Sequence, residues 1–171
     1  FRDVLVRFSY QLPFYILSLI YKKYTTLQFN LQYNRYMNEP SVFTRILNGD
    51  IFQEKIYEDD LCFVILTHEP LTPGHMLVIP RAEIDDLWDV RDDTYQHLMA
   101  VSKQMALKMR TAYTYKRVGV IVEGFGVPHA HVHIFGLNKA LNPTIADHMA
   151  KTNKIADPAD LKTEADKLRA S

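Results

Sequence analysis

The chain has very little cysteine and no excess of charge, and each absence excludes a class of protein. Cys62 is the only cysteine among 171 residues, which excludes an internal disulfide and a cysteine-based zinc ribbon. Twenty basic and twenty acidic side chains give zero formal net charge, which argues against a nucleic-acid or membrane partner held by bulk electrostatics. Six glycines and eight prolines are too few for a low-complexity chain. We expect a globular protein of the reducing cytoplasm.

The chain also lacks a long hydrophobic run. The stretch at residues 12–21 is apolar for roughly ten residues, whereas a helix needs about 20 to cross a bilayer. A signal peptide or a membrane anchor is the alternative for this stretch, but no small-residue cleavage site follows it. We therefore expect no membrane partner.

The composition changes near residue 37. Residues 1–36 hold ten of the twenty aromatic residues, five basic side chains and one acidic one, and they contain no Ala, Gly, Glu or His. Their residue types are those that AT-rich DNA encodes, and Met37 opens a conventional start. Our hypothesis is that residues 1–36 are upstream DNA read through a misplaced start. The domain is then expected at residues 37–171, with its motifs at 41–138 and a helical tail at 139–171.

From Met37 onward, periodicity and turn residues predict an α+β fold. Ser41 can cap a short helix that ends at Asn48-Gly49, and Asp157-Pro158 can begin a C-terminal helix. A long helix is expected to begin after a cap at Asp92 or Asp93. Strands are predicted at residues 53–58, 62–66, 75–80, 117–122 and 129–135. This order predicts a mainly antiparallel five-stranded sheet, with the long helix between strands three and four and short helices at both ends.

Several other residues are expected to have structural roles. Cys62 is expected to be a small core residue, and His68, His97 and His148 have no spacing partner and are expected in solvent. The apolar residues of the long helix recur at three- and four-residue spacing. They predict a buried face formed by Tyr95, Leu98, Met99, Ser102, Met105, Ala106 and Met109.

The chemistry is carried by the run H-A-H-V-H-I-F at residues 129–135. On a strand, side chains alternate between faces, so His129, His131 and His133 are expected on one face. Neighbouring imidazoles that titrate near neutral pH can divide the work between a nucleophile and a charge stabiliser, which suits phosphorus chemistry. The alternative is a metal site, in which alternate histidines bind zinc and His75 supplies a fourth ligand.

Two further motifs precede the histidine run in the sequence. P-L-T-P-G-H-M-L-V-I-P occupies residues 70–80, and F-T-R-I-L-N-G-D occupies residues 43–50. Together the three motifs resemble those of the histidine-triad (HIT) family of nucleotide hydrolases and transferases, over roughly residues 41–138. The resemblance implies a dimer of α+β protomers whose sheets join into one, with a nucleotide cleft above the triad. The fold expected is thus a HIT-like sheet.

The resemblance also implies a role for each histidine. His131 would be the nucleophile that attacks the α-phosphorus and forms a nucleotidyl-histidine intermediate. His129 would orient that ring through its backbone carbonyl and would contact His75, which completes a four-histidine site. His133 would hydrogen-bond the phosphate oxygens.

Two positions depart from the family pattern. Thr67 stands where many members carry an aspartate on the ribose hydroxyls, so a two-oxygen contact is lost. G-F-G-V-P-H replaces a segment whose glutamine and hydroxyl contact phosphate, so the expected contacts come from the backbone N–H groups of Gly124 and Gly126. The alternative is that these two glycines only form the turn between two strands.

We therefore predict an enzyme of the phosphoramidase type that cleaves nucleoside 5′-phosphate derivatives at the α-phosphate. A dinucleoside polyphosphate hydrolase and a non-catalytic nucleotide- or partner-binding protein are the alternatives. No cofactor and no catalytic metal are expected, and magnesium is expected only as part of a polyphosphate substrate. The partners expected are a nucleotide and a second copy of the chain.

Overall fold

The structure, a computed structural model, describes residues 39–124, 126–138 and 155–171. The chain divides into two units between residues 39 and 40, and every element given below belongs to the second. The predicted extension at residues 1–36 and residues 139–154 of the predicted tail fall outside the described residues. The exclusion of residues 1–36 from the domain therefore stays a prediction.

The described residues form an α+β fold built on one sheet. The helices are α1 (Val42–Leu47), α2 (Asp92–Ala112) and α3 (Pro158–Ala170), and a short 3-10 turn spans Leu87–Asp89. The strands are β1 (Lys55–Glu58), β2 (Cys62–Leu66), β3 (Met76–Pro80), β4 (Arg117–Ile121) and β5 (Val132–Leu137). Their order across the sheet is β1-β2-β3-β5-β4, and all four neighbouring pairs are antiparallel. The predicted architecture is confirmed.

The ends of two helices follow from their capping residues. The Ser41 side chain accepts a hydrogen bond from the N–H of Thr44 at the start of α1, as predicted. Asp157 accepts from the N–H of Ala159 at the start of α3, also as predicted.

The predicted cap of α2 is wrong. The residue that precedes the helix is Arg91, whose side chain makes no capping hydrogen bond. Asp92 and Asp93 lie inside the first turn, where their negative charges face the positive end of the helix dipole. The dipole can therefore be complemented from inside the first turn, without a side-chain cap before it.

Both faces of the sheet are covered. Side chains at alternate positions of β2, β3 and β5 pack against α2 and α3, and the Cys62 side chain lies in this core. The buried residues of α2 are Leu98, Val101, Ser102, Met105 and Met109, while Tyr95, Met99 and Ala106 are partly buried against the same core. On the opposite face, Phe43 and Ile46 of α1 pack on β2 and β3. The short α1 leaves the rest of that face for a cleft.

The last strand begins later than predicted. It was expected to start at His129, but β5 starts at Val132. The N–H of His129 donates to the carbonyl of Val127, and the N–H of Ala130 donates to the carbonyl of Ile84, at 2.8 and 2.7 Å. Because these two N–H groups bond outside the sheet, His129 precedes the strand although its side chain keeps the predicted alternation with Ala130.

Candidate active site

Four buried histidines lie at the point where β3 and β5 are paired. His75 directly precedes β3, and His133 lies in β5 opposite Leu77 of β3. His75 and His129 are fully buried, and His131 and His133 are each 5% exposed. Two of them, His131 and His133, line a cavity of about 480 Å³, which is a usual size for a small-molecule site. The other two stand behind these rings.

The proton positions on His75 and His133 follow from a backbone donor. The N–H of Leu71 donates to Nδ1 of His75 at 3.1 Å, so this nitrogen carries a lone pair. The neutral ring therefore holds its proton on Nε2, which lies 3.0 Å from Nδ1 of His133 and donates to it. The neutral His133 ring then carries its own proton on Nε2. A chain of three donors thus makes Nε2 of His133 an N–H donor.

The orientation of His131 follows from a backbone acceptor. Its Nδ1 lies 2.7 Å from the carbonyl oxygen of His129, and a carbonyl can only accept. The proton is therefore on Nδ1, and Nε2 carries the lone pair. The rings of His131 and His133 have their centroids 4.8 Å apart. The site thus sets a nucleophilic nitrogen beside a hydrogen-bond donor.

His129 lies outside the lining of the cavity and acts on it through its carbonyl, which accepts from His131. Its Nε2 donates to the carbonyl of Pro80 at 2.8 Å, so its Nδ1 is an acceptor and takes the hydroxyl proton of Ser41 at 2.8 Å. Burial lowers the pKa of His129 below its ordinary value, although the hydrogen bond to Pro80 and the charge of Glu83 oppose this shift. The neutral His129 therefore connects α1, β3 and the triad through its hydrogen bonds to Ser41, Pro80 and His131.

The predicted contact between His129 and His75 is wrong. His75 contacts His133, and the His129 ring is engaged with Ser41 and Pro80. The reason is that β3 and β5 are antiparallel neighbours: the pairing of Leu77 with His133 brings the start of β3 to that part of β5. His129 lies at the other end of the run, beside the end of β3.

Glu83 fixes α1 in place, and the sequence motifs did not indicate it. One carboxylate oxygen accepts from the N–H of Ser41 at 2.9 Å, and the other accepts from the hydroxyl of Thr44. The helix held in this way carries Phe43, whose ring meets the rings of His129 and His131 edge-on at centroid distances of 5.6 and 5.1 Å. A serine and a threonine three residues apart indicated only a helix start.

The turn that carries His75 requires a glycine. Gly74 has φ of +77°, and a Cβ atom there would lie 2.7 Å from the ring of Tyr113. The hydroxyl of Tyr115 donates to the carbonyl of Pro73 at 2.9 Å. Two stacked tyrosines therefore support the turn, with ring centroids 5.3 Å apart.

The predicted nucleotide-binding residues separate into two groups. Thr67 and Gly126 line the cavity, together with Phe43 and Leu77 on its apolar side. The described lining does not include Gly124, whose φ of +79° lies in the left-handed region that favours glycine. The lining does include two carboxylates, Glu69 and Glu123, that the motifs did not indicate.

The residues expected in structural roles are placed as follows. Cys62 is fully buried, as predicted, and His68 is exposed. His97 is not a free surface residue: its Nε2 lies 2.6 Å from a carboxylate oxygen of Asp59, and its side chain is 34% exposed. His148 lies outside the described residues. Within the part of the chain that the structure describes, no helix is both long and apolar enough to cross a membrane.

The sheet topology and the alternate histidines are those of the histidine-triad class of proteins. A family model described as HIT domain matches residues 48–140, which is more than half of the chain. The chain belongs to this family. An uncharacterized HIT-like protein of Chlamydia trachomatis is 31% identical over 101 residues, which cover 56% of this chain and 91% of that protein.

Solved structures have the same fold. A zinc-bound histidine triad family protein from Mycobacterium smegmatis has a TM-score of 0.64 and 27% identity, over 75% of this chain and 90% of that one. A Hit-like protein from Bartonella henselae, described as involved in cell-cycle regulation, has a TM-score of 0.68 at 24% identity, over 76% of this chain and 94% of that one. The second likeness shows the fold alone.

Proposed function

We propose that this protein hydrolyses nucleoside 5′-phosphoramidates and related α-phosphate derivatives through a nucleotidyl-histidine intermediate on His131. The observation that carries the proposal is the hydrogen bond of 2.7 Å from Nδ1 of His131 to the carbonyl of His129. It places the proton on Nδ1 and the lone pair on Nε2, in a ring whose orientation is already set. Preorganisation of this kind lowers the barrier because the ring need not be ordered during reaction.

The first step transfers the nucleotidyl group to the protein. The phosphoramidate nitrogen first takes a proton from solvent. Nε2 of His131 then attacks the α-phosphorus, and the phosphorus–nitrogen bond breaks with its electron pair, so that a neutral amine leaves. The Nε2–H of His133 donates to a phosphoryl oxygen, where negative charge accumulates in the transition state. The proton of His131 stays on Nδ1, hydrogen-bonded to the carbonyl of His129, throughout.

The second step returns the free enzyme. A water oxygen attacks phosphorus, and the bond from phosphorus to Nε2 of His131 breaks. The water loses a proton to solvent, the nucleoside monophosphate is released, and His131 regains its lone pair. In this scheme neither step needs a cofactor or a resident metal, and a transferase would use another acceptor in place of water.

The cavity suits a nucleoside with a single phosphate group. Phe43, Ile46 and Leu77 offer apolar surface for the base and sugar, and the hydroxyl of Thr67 can hydrogen-bond a ribose hydroxyl. The carboxylate of Glu69 lines the same cavity and would repel the additional charges of a polyphosphate. This favours phosphoramidate-like substrates over dinucleoside polyphosphates.

We further propose that the protein acts as a homodimer joined at β4. The outer edge of β1 is covered, because the Arg169 guanidinium donates to the carbonyl of Lys55 at 2.7 and 2.9 Å. β4 forms the opposite edge of the sheet. Val120 in this strand and Val122 just after it are both exposed apolar side chains. Pairing β4 with its copy would satisfy that edge and extend the sheet. A cytoplasmic location stays a prediction.

The proposal is tested with adenosine 5′-phosphoramidate and the His131→Ala variant. The wild type should release AMP and ammonia, and the variant should lose turnover while its nucleotide affinity changes by no more than about tenfold, since the nucleophile serves the covalent step. Mass spectrometry of quenched wild-type protein should place the nucleotidyl adduct on His131. An adduct on another residue, or turnover by the variant, would overturn the proposal.

A further inference from the structure

A second cluster of metal-ligating side chains lies at the turn between β1 and β2. Asp59 is in the turn, Cys62 begins β2, and His97 projects from α2. One donor atom from each residue lies within 4.8 Å of the other two. The three ligands come from three different elements, so the fold itself brings together a carboxylate, a thiol and an imidazole.

The carboxylate of Asp59 is held in a fixed orientation. Its Oδ1 accepts from the N–H groups of Leu61 and Cys62, each at 2.8 Å. Its Oδ2 accepts from the hydroxyl of Tyr57 at 2.5 Å and lies 2.6 Å from Nε2 of His97. Outer hydrogen bonds of this kind orient the ligands of protein metal sites before a metal arrives.

The cluster is buried on one side and open on the other. Cys62 is fully buried among core residues, whereas the side chains of Asp59 and His97 are 25% and 34% exposed. The partly exposed side of the cluster is therefore formed by Asp59 and His97, and the thiol forms its buried side. The triad's own buried nitrogens do not take part.

We propose that Asp59, Cys62 and His97 form a binding site for a thiophilic divalent cation of the zinc class, separate from the histidine triad. A thiolate, an imidazole nitrogen and a carboxylate oxygen are all ligands of zinc, and three protein ligands leave the fourth tetrahedral position to water. On binding, the Cys62 thiol loses its proton to solvent, and the proton on Nε2 of His97 moves to Nδ1 of that ring. No change of oxidation state is involved.

Such a site would join the β1–β2 turn to the long helix. The bond between Asp59 and His97 already links these two elements, and a cation would replace one hydrogen bond with three coordinate bonds. The proposal does not depend on the proposed hydrolase activity, since it concerns binding at a different position in the fold.

Cobalt(II) tests the site directly because the chain has one cysteine. A sulfur-to-cobalt charge-transfer band in the near ultraviolet can come only from Cys62, whereas cobalt on the triad histidines gives none. Titration of the reduced full-length protein with Co²⁺ should produce this band with one equivalent, and Zn²⁺ should abolish it by displacement. Absence of the band in folded protein would overturn the proposal.

Three variants identify the ligands. Cys62→Ala should lose the band, and His97→Ala should weaken cobalt binding by at least about tenfold, as expected for removal of a direct ligand. His131→Ala is the matched control: it removes a triad nitrogen and should leave both the band and its midpoint unchanged. Circular dichroism establishes that each variant is folded. An unchanged midpoint in His97→Ala, or loss of the band in His131→Ala, would refute the assignment.

Discussion

The Nε2 atom of His75 lies 3.0 Å from Nδ1 of His133. This contact joins residues 58 positions apart, and it explains how a histidine outside the cleft can influence one inside it. Because Nδ1 of His75 accepts from the N–H of Leu71, the one N–H group of the neutral ring is on Nε2, and it donates to Nδ1 of His133. In the proposed mechanism His75 is therefore a positioning residue, and His133 is the group that meets the phosphate.

The first prediction is that His75 acts through His133. His133→Ala should lower kcat for adenosine 5′-phosphoramidate by about 10² to 10³, the usual cost of removing one transition-state donor. His75→Ala should lower kcat less, and the double variant should be no slower than His133→Ala alone. Additive losses measured in this double-mutant cycle would show that His75 has an independent role. His75→Gln, which keeps a donor, should recover part of the loss.

The second prediction concerns the cap of α1. Ser41→Ala removes both the acceptor for the N–H of Thr44 and the donor to Nδ1 of His129, which is fully buried. Loss of the cap and an unsatisfied buried nitrogen should together cost about 1–3 kcal/mol of unfolding free energy, measured by urea denaturation. Ser171→Ala is the matched control, since its hydroxyl bonds only at the exposed end of α3. Equal effects of the two changes would contradict a stabilising role for the hydrogen bond between Ser41 and His129.

The third prediction concerns pH and stability. The pKa of His129 is lower in the folded protein than its ordinary value of 6.5 because the ring is buried. Below pH 6.5 the unfolded chain therefore binds a proton that the folded protein does not. Stability should fall as pH decreases from 6.5 toward the lowered folded pKa, with a slope of at most about 1.4 kcal/mol per pH unit from this group, and above pH 6.5 the group contributes no slope.

The pH effect is isolated by comparison with His129→Asn. The variant should be less stable than the wild type near neutral pH, and the difference should shrink as pH falls below 6.5, because only the wild type has a histidine to protonate there. Urea denaturation at a series of pH values measures both curves. A difference that stays constant over this range would mean that His129 is not the group responsible.

The fourth prediction separates the two chemical interpretations of the triad. Under the nucleophile mechanism EDTA should leave turnover of the phosphoramidate intact, and added zinc should slow it by occupying the lone pair of His131. Loss of activity in EDTA with rescue by zinc would instead make His131 a metal ligand.

A control distinguishes this inhibition from the proposed cation site at Cys62. Cys62→Ala should keep zinc inhibition at the same concentration as the wild type, because the inhibitory zinc binds at the triad. If inhibition disappears in this variant, zinc acts through the β1–β2 turn, and the interpretation of the chelator experiment changes with it.

The local features of this protein could be predicted from the sequence. The two-residue period of H-A-H-V-H places His131 and Val132 on opposite faces, and the triad side chains do alternate with core residues. The caps at Ser41 and Asp157 were also predicted, because a cap depends on neighbours within three positions. The order of helices and strands followed from the same short-range signals, together with the family motifs.

The partners of the buried side chains were decided by the tertiary structure. Ser41 and His129 are 88 positions apart, and Asp59 and His97 are 38 apart, so no local pattern relates them. The register of β3 against β5 placed His75 beside His133 rather than beside His129, and the pairing of Cys62 with Pro80 placed the start of β2 beside the residue whose carbonyl bonds His129. Periodicity determines which face a side chain takes, whereas its contact is chosen by the strand or helix that packs there, because each buried polar atom must find its hydrogen bond among the atoms within reach.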